Sequence, residues 1–330
     1  MTAARQRYYD GTVIFSDERR DPAMTPSAPT PIRPARRARL AKGLAALWLL
    51  DALLKLQPSM FTPELIVNVL GPSAADNQPQ WLYRLIIQSA TRWYHLLPWS
   101  AIGIVAIEGF IAWAAWRGPA HRWGRRGLWF SLAWGLVVWT VAEGLGGLLT
   151  GSPSLMNGSP GSIPFYMAGT LLLLLPDHVW QNPAFFVRLR QGLGVFFVLA
   201  ALAQALPGFW TPVGLGGVFG DVTMNGSEPV VMQQLINALV ILAMHAPVLL
   251  NGIFVTITAA IGIALLRGRL GPLFIYGTAL WLLFIWVAPQ ALGGLLTGSG
   301  TDPGTEFPLA LLISLVLPPR ERQTPTCRTL

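Results

Sequence analysis

The sequence predicts an all-α, polytopic integral membrane protein, with about eight transmembrane helices arranged as two parallel four-helix repeats. Charged residues are scarce: 12% of the 330 residues are charged and 53% are hydrophobic, whereas soluble domains carry about 25% charged residues. Between positions 127 and 176 the only charged residue is Glu143. This composition excludes a soluble globular enzyme, and the apolar content excludes a disordered chain.

Eight apolar runs predict the spanning helices, because several approach the roughly 20 residues that cross a bilayer core of about 30 Å. The fourth and eighth runs are shorter, so we expect those helices to be extended at their ends or locally broken. Two further segments contain Arg, Gln or Asn and predict interfacial helices that lead into the second and sixth spans. The runs cover residues 40–56, 96–116, 127–149, 164–176, 192–206, 246–266, 272–296 and 307–318, and the interfacial segments cover 78–94 and 228–244.

The distribution of basic residues predicts the orientation. With a cytoplasmic amino terminus, 20 of the 23 Lys and Arg residues fall on the cytoplasmic side, and the exceptions are Lys55, Arg84 and Arg92. This asymmetry follows the positive-inside rule, so we expect a protein of the cell inner membrane with both termini in the cytoplasm. The predicted regions are a disordered basic tail over 1–39, a first repeat over 40–177, a second repeat over 190–319 and a cytoplasmic tail over 320–330.

An internal duplication is visible directly. The octapeptide Leu-Gly-Gly-Leu-Leu-Thr-Gly-Ser at 145–152 recurs unchanged at 292–299, and Trp134 recurs as Trp281 at the same spacing. Each unit contains an even number of spans, which predicts parallel repeats related by an axis along the membrane normal. The paired glycines at the outer end of the third helix allow close helix approach or end the helix; alternatively, they bring bare backbone to a ligand.

The end of the first apolar run carries an Asp-x-x-x-Lys-x-x-Pro pattern, from Asp51 to Pro58, and a long outer loop with a partial helix follows. In this pattern and in its four-helix layout, each half resembles the DoxX superfamily. That superfamily includes the DoxD small subunit of thiosulfate:quinone oxidoreductases and the MauE-like membrane proteins. The chain is similar to a tandem-duplicated member, and the resemblance implies a quinone-linked or thiol-redox role.

Ionisable residues distinguish the two copies. Four positions of the first copy, Asp51, Lys55, Arg84 and Glu143, align with Ala200, Gln204, Gln234 and Gln290 of the second. A charge at the bilayer centre costs about 3 kcal/mol on insertion scales, so these groups are predicted to pair inside the bundle. Two interpretations remain open: a structural ion-pair network between the first and third helices, or a polar pocket open to the outer face.

In the pocket interpretation, the candidate catalytic residues are Glu143, as a proton acceptor, and Asp51. Lys55 or Arg84 would bind an oxygen of a quinone or a small anion. The remaining candidate ligand-binding residues are Arg92, His95 and Gln290.

Other polar and aromatic residues carry weaker signals. His95 and His245 occupy equivalent positions and are candidate metal or haem ligands; alternatively, each caps a helix start or bonds to a loop carbonyl. Glu108 lies midway along the second span and is expected to face the bundle interior. The many Trp residues near the span ends are typical of interfacial belts.

The first functional hypothesis is a membrane subunit of a redox system that exchanges electrons or protons with a quinone near the outer face. The expected partners are the lipid bilayer and a redox partner subunit; nucleic acid is not expected, because the basic clusters separate apolar runs. The alternatives are a small-solute transporter or permeation protein, and a structural or assembly subunit. The single cysteine, Cys327, excludes an internal disulfide and a cysteine-based metal site.

Overall fold

The computed structural model describes residues 32–71, 77–223 and 228–318, and the regular elements of this described part are all helical, with no strand. The all-α prediction is confirmed. In chain order the α-helices are α1 (Ile32–Leu54), α2 (Gln80–His95), α3 (Trp99–Arg117), α4 (Arg122–Val141), α5 (Ile163–Leu174), α6 (Asp177–Gln181), α7 (Pro183–Gln204), α8 (Pro212–Thr223), α9 (Val230–His245), α10 (Pro247–Arg267), α11 (Pro272–Val287) and α12 (Glu306–Val316).

The same order of elements occurs in both halves of the chain. A long helix (α1 or α7) is followed by a 3-10 turn, and then by a short helical segment, which is the π-helix Leu65–Leu70 in the first half and α8 in the second. A 16-residue helix comes next (α2 or α9), then two helices of 16–21 residues, a tight turn and a short final helix (α5 or α12). Helices therefore occur at all eight apolar runs and at both predicted interfacial segments.

Within the described part of the chain, three helices, α3, α7 and α10, are long and apolar enough to cross a membrane. Four more, α5, α9, α11 and α12, are apolar but have only 10–17 residues. The short α5 and α12 correspond to the fourth and eighth apolar runs, which already indicated short helices. α7 and α10 cross closely: a Cβ atom on Gly194 would lie 3.0 Å from the carbonyl oxygen of Gly262, so the two backbones are almost in contact.

The amino-terminal boundary differs from the prediction. α1 begins at Ile32, so residues 32–39 are helical, and the predicted disordered tail over 1–39 is wrong for this stretch. Residues 1–31 and the predicted tail over 320–330 lie outside the described residues.

Arginine contacts explain why the helix extends beyond the apolar run. Arg36 Nη2 donates to the carbonyl of Leu317 at 2.9 Å. Arg37 Nη2 donates to the carbonyls of Leu173 and Leu175 at 2.8 and 2.9 Å. The last carbonyls of a helix lack an intrahelical donor and carry partial negative charge, so cations there are stabilising. The first turns of α1 are thereby tied to the carboxyl ends of α5 and α12.

Further basic residues lie at this end of the bundle. The Arg36 guanidinium lies 4.6 Å from the ring centroid of Phe186 at the start of α7. Lys42 Nζ lies 5.9 Å from the ring centroid of Trp116 at the end of α3. The starts of α1 and α7 therefore lie together with the ends of α3, α5 and α12, and we call this the basic end.

The repeated octapeptide follows the same backbone path in both copies. It lies beyond α4 and α11, whereas the apolar runs placed it on those helices. Leu145 and Gly146 have φ of 57° and 61°, and Leu292 and Gly293 have φ of 60° and 65°. They follow Gly144 and Ala291, the first residues with positive φ after α4 and α11, so each turn is a run of left-handed residues that keeps the helix from resuming. The structure thus gives the glycines a role in the turn.

Gly146 and Gly147 offer a matched test of this turn, because both have positive φ, of +61° and +71°. A Cβ atom on Gly146 would lie 1.8 Å from the carbonyl oxygen of Pro160, whereas on Gly147 its nearest neighbour lies at 3.9 Å. Alanine costs about 1 kcal/mol of backbone strain at either position, but overpacking adds roughly 1–3 kcal/mol only at the first. Gly146→Ala should therefore lower the melting temperature of the purified protein clearly more than Gly147→Ala; equal losses would contradict the packing seen here.

Candidate functional site

Buried polar residues surround a cavity of about 70 Å³ in the first half of the chain. Its walls come from α1 to α5, from the two short segments after α1, and from one loop of the second half. The volume exceeds the roughly 15 Å³ that one water molecule needs. The lining residues are Trp48, Asp51, Lys55, Met60, Leu70, Trp93, Ala101, Ile104, Glu108, Trp134, Val138, Ala142, Glu143, Ile163, Thr301 and Asp302.

Lys55 is held by partners from two other parts of the chain. Its Nζ forms an ion pair with Glu108 Oε2 on α3 at 3.0 Å and donates to the carbonyl of Thr301 at 3.0 Å. Glu108 is 1% exposed, so it faces the bundle interior as predicted. The ion pair joins α1 to α3, whereas the structural interpretation placed it between the first and third spans, α1 and α4.

Asp51 lies one turn before Lys55 on α1, since the amide of Lys55 donates to its carbonyl at 3.1 Å. Its carboxylate accepts a hydrogen bond from Tyr166 Oη on α5 at 3.1 Å. Both side chains are buried, and the Tyr166 ring packs edge-on against Trp48 with ring centroids 4.9 Å apart. The indole N–H groups of Trp48 and of Trp134, another residue of the cavity wall, make no hydrogen bond within the described residues.

Glu143 caps the start of α5. Its Oε1 accepts from the amide and hydroxyl of Ser162, at 3.1 and 2.8 Å, and from the amide of Ile163 at 3.3 Å. A carboxylate at a helix N-terminus accepts hydrogen bonds from the free amides there and interacts favourably with the positive end of the helix dipole. The second carboxylate oxygen makes no hydrogen bond within the described residues. Glu143 therefore has a structural contact that the sequence analysis did not foresee.

Gln290 lies in the matching place of the second half, away from the cavity. Its amide donates to Glu306 Oε1 at 2.7 Å and to the carbonyl of Leu155 at 3.2 Å. Glu306 begins α12 and is 4% exposed. The second copy therefore keeps a buried carboxyl at this helix start, although its aligned position carries an amide. Gln290 is not among the lining residues of the cavity, contrary to its prediction as a ligand-binding residue, because its amide is bound to Glu306 and Leu155 instead.

Arg84, Arg92 and His95 are also outside the cavity, contrary to the pocket prediction. α2 buries the face that contains Leu82 and Ile86, and all three predicted residues are exposed on other faces of that helix.

The histidines do not form a metal centre in the described part of the chain. His245 Nδ1 lies 2.8 Å from the carbonyl of Ile241, one turn earlier on its own helix, and both His95 and His245 are exposed. No group of three His, Cys, Asp or Glu side chains suited to a metal ion occurs among the described residues. The contact of His245 is with a carbonyl of its own helix, whereas the alternative predicted a loop carbonyl.

Three classes of pocket residue escaped the sequence analysis. Asp302 and Thr301 come from the second half, and no sequence signal indicates that its loop covers the first-half cavity. Trp48, Trp93 and Trp134 line the cavity, whereas the sequence predicts interfacial belts for Trp residues near span ends. The sequence predicts that Glu108 faces the interior, but spacing does not identify Lys55 as its partner, because the two residues come from different parts of the chain.

Aromatic rings occupy the equivalent space in the second half. Phe254 aligns with Ile104, and Phe219 aligns with Leu70. The Phe219 and Phe254 ring centroids are 6.0 Å apart, and Phe254 and Trp281 are 5.8 Å apart. Larger side chains thus fill the place where the first half leaves a cavity.

Comparison with known proteins gives no further assignment: no family model, no curated protein and no solved structure matches the chain.

Separate and combined substitutions of Lys55 and Glu108 test the ion pair. Lys55→Gln or Glu108→Thr alone leaves one buried charge without its partner, which typically costs about 3–5 kcal/mol. The double variant carries the residues aligned in the second half, Gln204 and Thr258, and should recover much of that loss. Thermal unfolding of all four proteins gives the coupling energy; strictly additive losses would show that the two groups do not stabilise each other.

Proposed function

We propose that this chain is an integral protein of the cell inner membrane that spans the bilayer eight times as two parallel four-helix repeats, with both termini in the cytoplasm. Support comes from the three long apolar helices and from large apolar side chains on the outer surface, such as Leu273, Leu249 and Leu280, which are 87%, 67% and 67% exposed. A bilayer would cover such a surface. The gathering of Arg36, Arg37 and Lys42 at the basic end supports the orientation.

Cysteine labelling tests this topology. In a Cys327→Ser background, Ser152→Cys should react in intact cells with a membrane-impermeant maleimide, because it follows α4 at the end away from the basic end. Arg125→Cys should react only after the membrane is permeabilised, because it lies near the start of α4. Both positions are exposed in the structure. The opposite labelling pattern would reverse the proposed orientation, and labelling of both in intact cells would contradict the spans.

We propose further that the first-half cavity binds the headgroup of a quinol, the reduced form of a membrane quinone, as in the quinone-linked role that resemblance to the DoxX superfamily implies. The observation that carries this proposal is the excess of acidic over basic side chains in the cavity lining. Asp51, Glu108, Glu143 and Asp302 line the cavity, and Lys55 is the basic residue among the described lining residues. Lys55 already has two acceptors. A ligand with O–H donors therefore finds acceptors there, and the four carboxyl groups disfavour an anion.

The surplus of carboxyl groups in the cavity also suits the chemistry of quinol oxidation, which releases protons. Oxidation of one quinol releases two electrons and two protons and leaves a quinone. Asp51 and Glu143 can accept protons because each carboxylate lines the cavity. The electrons pass to the redox partner subunit, which is the electron acceptor in this proposal. Release of the protons near the outer end follows from the position of the cavity at the end opposite the basic end.

Transport of a small cation is the second candidate function, and the same surplus of carboxyl groups favours it. Buried carboxylates and aromatic walls can hold an organic cation. Proteoliposome uptake of such a solute without any dependence on quinol would favour this function over the redox proposal.

Filling the cavity tests quinol binding. Ile104→Phe introduces the residue that the second half carries at this position, and it should close the cavity, which Ile104 lines at 8% exposure. Ile102→Phe is the matched control, because Ile102 is 46% exposed on the same helix. We expect purified Ile104→Phe protein to lose at least tenfold in affinity for a short-chain quinol, measured by fluorescence titration, while the control is unchanged. Equal binding by all three proteins would exclude the cavity as the quinol site.

A further inference from the structure

Helix α2 presents two different faces. Leu82, Ile86 and Ala90 recur every four residues and are buried against the rest of the protein. Arg84 and Arg92 each follow a buried residue by two positions, which is about 200° around a helix of 3.6 residues per turn. Both arginines are exposed, so they project from the face that points away from the bundle.

Aromatic residues flank this basic face. Trp81, Tyr83 and Tyr94 are 57%, 45% and 51% exposed, and Trp99, at the start of the next helix, is 75% exposed. Exposed Trp and Tyr are enriched where a protein meets the headgroup region of a bilayer. A helix with one face on the protein, aromatic flanks and a basic outer face has the properties of an interfacial helix.

The position of α2 identifies the leaflet. The helix that follows it, α3, ends with Trp116 and Arg117 at the basic end and is 19 residues long, about 28 Å. α2 therefore lies at the other surface of the proposed membrane. Within the described residues, neither Arg84 nor Arg92 forms an ion pair, so both guanidinium groups are available to an anion at that surface.

The second half keeps the helix but not the charges. In α9, the positions that match Arg84 and Arg92 carry Gln234 and Leu242, and both are exposed. The two cations are therefore not needed to build this type of helix, and the chain itself supplies neutral replacements for them.

We propose that Arg84 and Arg92 form a basic surface that binds the phosphate groups of anionic lipid headgroups in the outer leaflet. Guanidinium groups bind phosphate oxygens through paired N–H donors, and the flanking aromatic residues place the helix at headgroup depth. The inference rests on the proposed membrane location but not on the ligand of the cavity.

The test uses the full-length protein in detergent, with native mass spectrometry to measure binding of phosphatidylglycerol, phosphatidylcholine and inorganic phosphate. Each basic residue near an anionic lipid surface contributes about fivefold in affinity, so the Arg84→Gln/Arg92→Leu variant should bind phosphatidylglycerol roughly 25-fold more weakly than the unmodified protein. The Arg84→Lys/Arg92→Lys variant keeps both charges and should retain most of the affinity. Phosphatidylcholine binding should be the same in all three proteins.

Two results would overturn the proposal: unchanged phosphatidylglycerol affinity in the neutral double variant, or displacement of the lipid by inorganic phosphate at equal concentration, which would mean a free-anion site. The proposed membrane location fails in a different way, because the protein would then be recovered from cell lysates without detergent. A pocket ligand other than a quinol would change neither measurement.

Discussion

A charge that is removed from water inside an apolar bundle must find an opposite charge or a hydrogen-bond partner there, and the Lys55–Glu108 pair is where this constraint acts most strongly. The 3.0 Å contact joins α1 to α3, and the second bond of Lys55, to the carbonyl of Thr301, fastens a loop of the second half over the first. Gln57 adds a bond to the carbonyl of Gly300 at 3.0 Å. The wall of the cavity thus depends on partners that buried charge requires.

At the position that matches Lys55, the second half meets the same constraint with neutral side chains. Gln204, which aligns with Lys55, donates to Asn251 Oδ1 at 2.7 Å and accepts from Ser154 in the first half. Ser154 follows the first octapeptide by two residues, as Thr301 follows the second. Each half therefore sends the end of its first helix to the other half's loop, so the duplicated units are interlocked. The two halves differ in that one has an ion pair where the other has a neutral amide network. Both keep the contact between the end of the first helix and the loop of the other half.

How much of the site the sequence could predict depends on the residue. Asp51, Lys55 and Glu143 line one cavity, and their grouping followed from burial cost and from comparison of the two copies. Arg84 did not join them, because the grouping ignored the direction in which its side chain leaves α2. Spacing around the helix, relative to Leu82, would have placed it on the outer face. The bonds from Glu143 to Ser162 and Ile163 escaped notice because they cross a loop whose path no local pattern specifies.

By itself, the sequence determined the all-helical class, the positions of the helices and the segregation of basic residues. Apolar runs and basic clusters are properties of short stretches of sequence, so they do not depend on which helices pack together. The tertiary structure alone decided which groups meet. Lys55 finds the carbonyl of Thr301, 246 residues away, and Asp302 comes to the same cavity. Such contacts depend on the rotation of each helix about its axis and on how the two halves interlock, and both are set by close packing of many side chains at once.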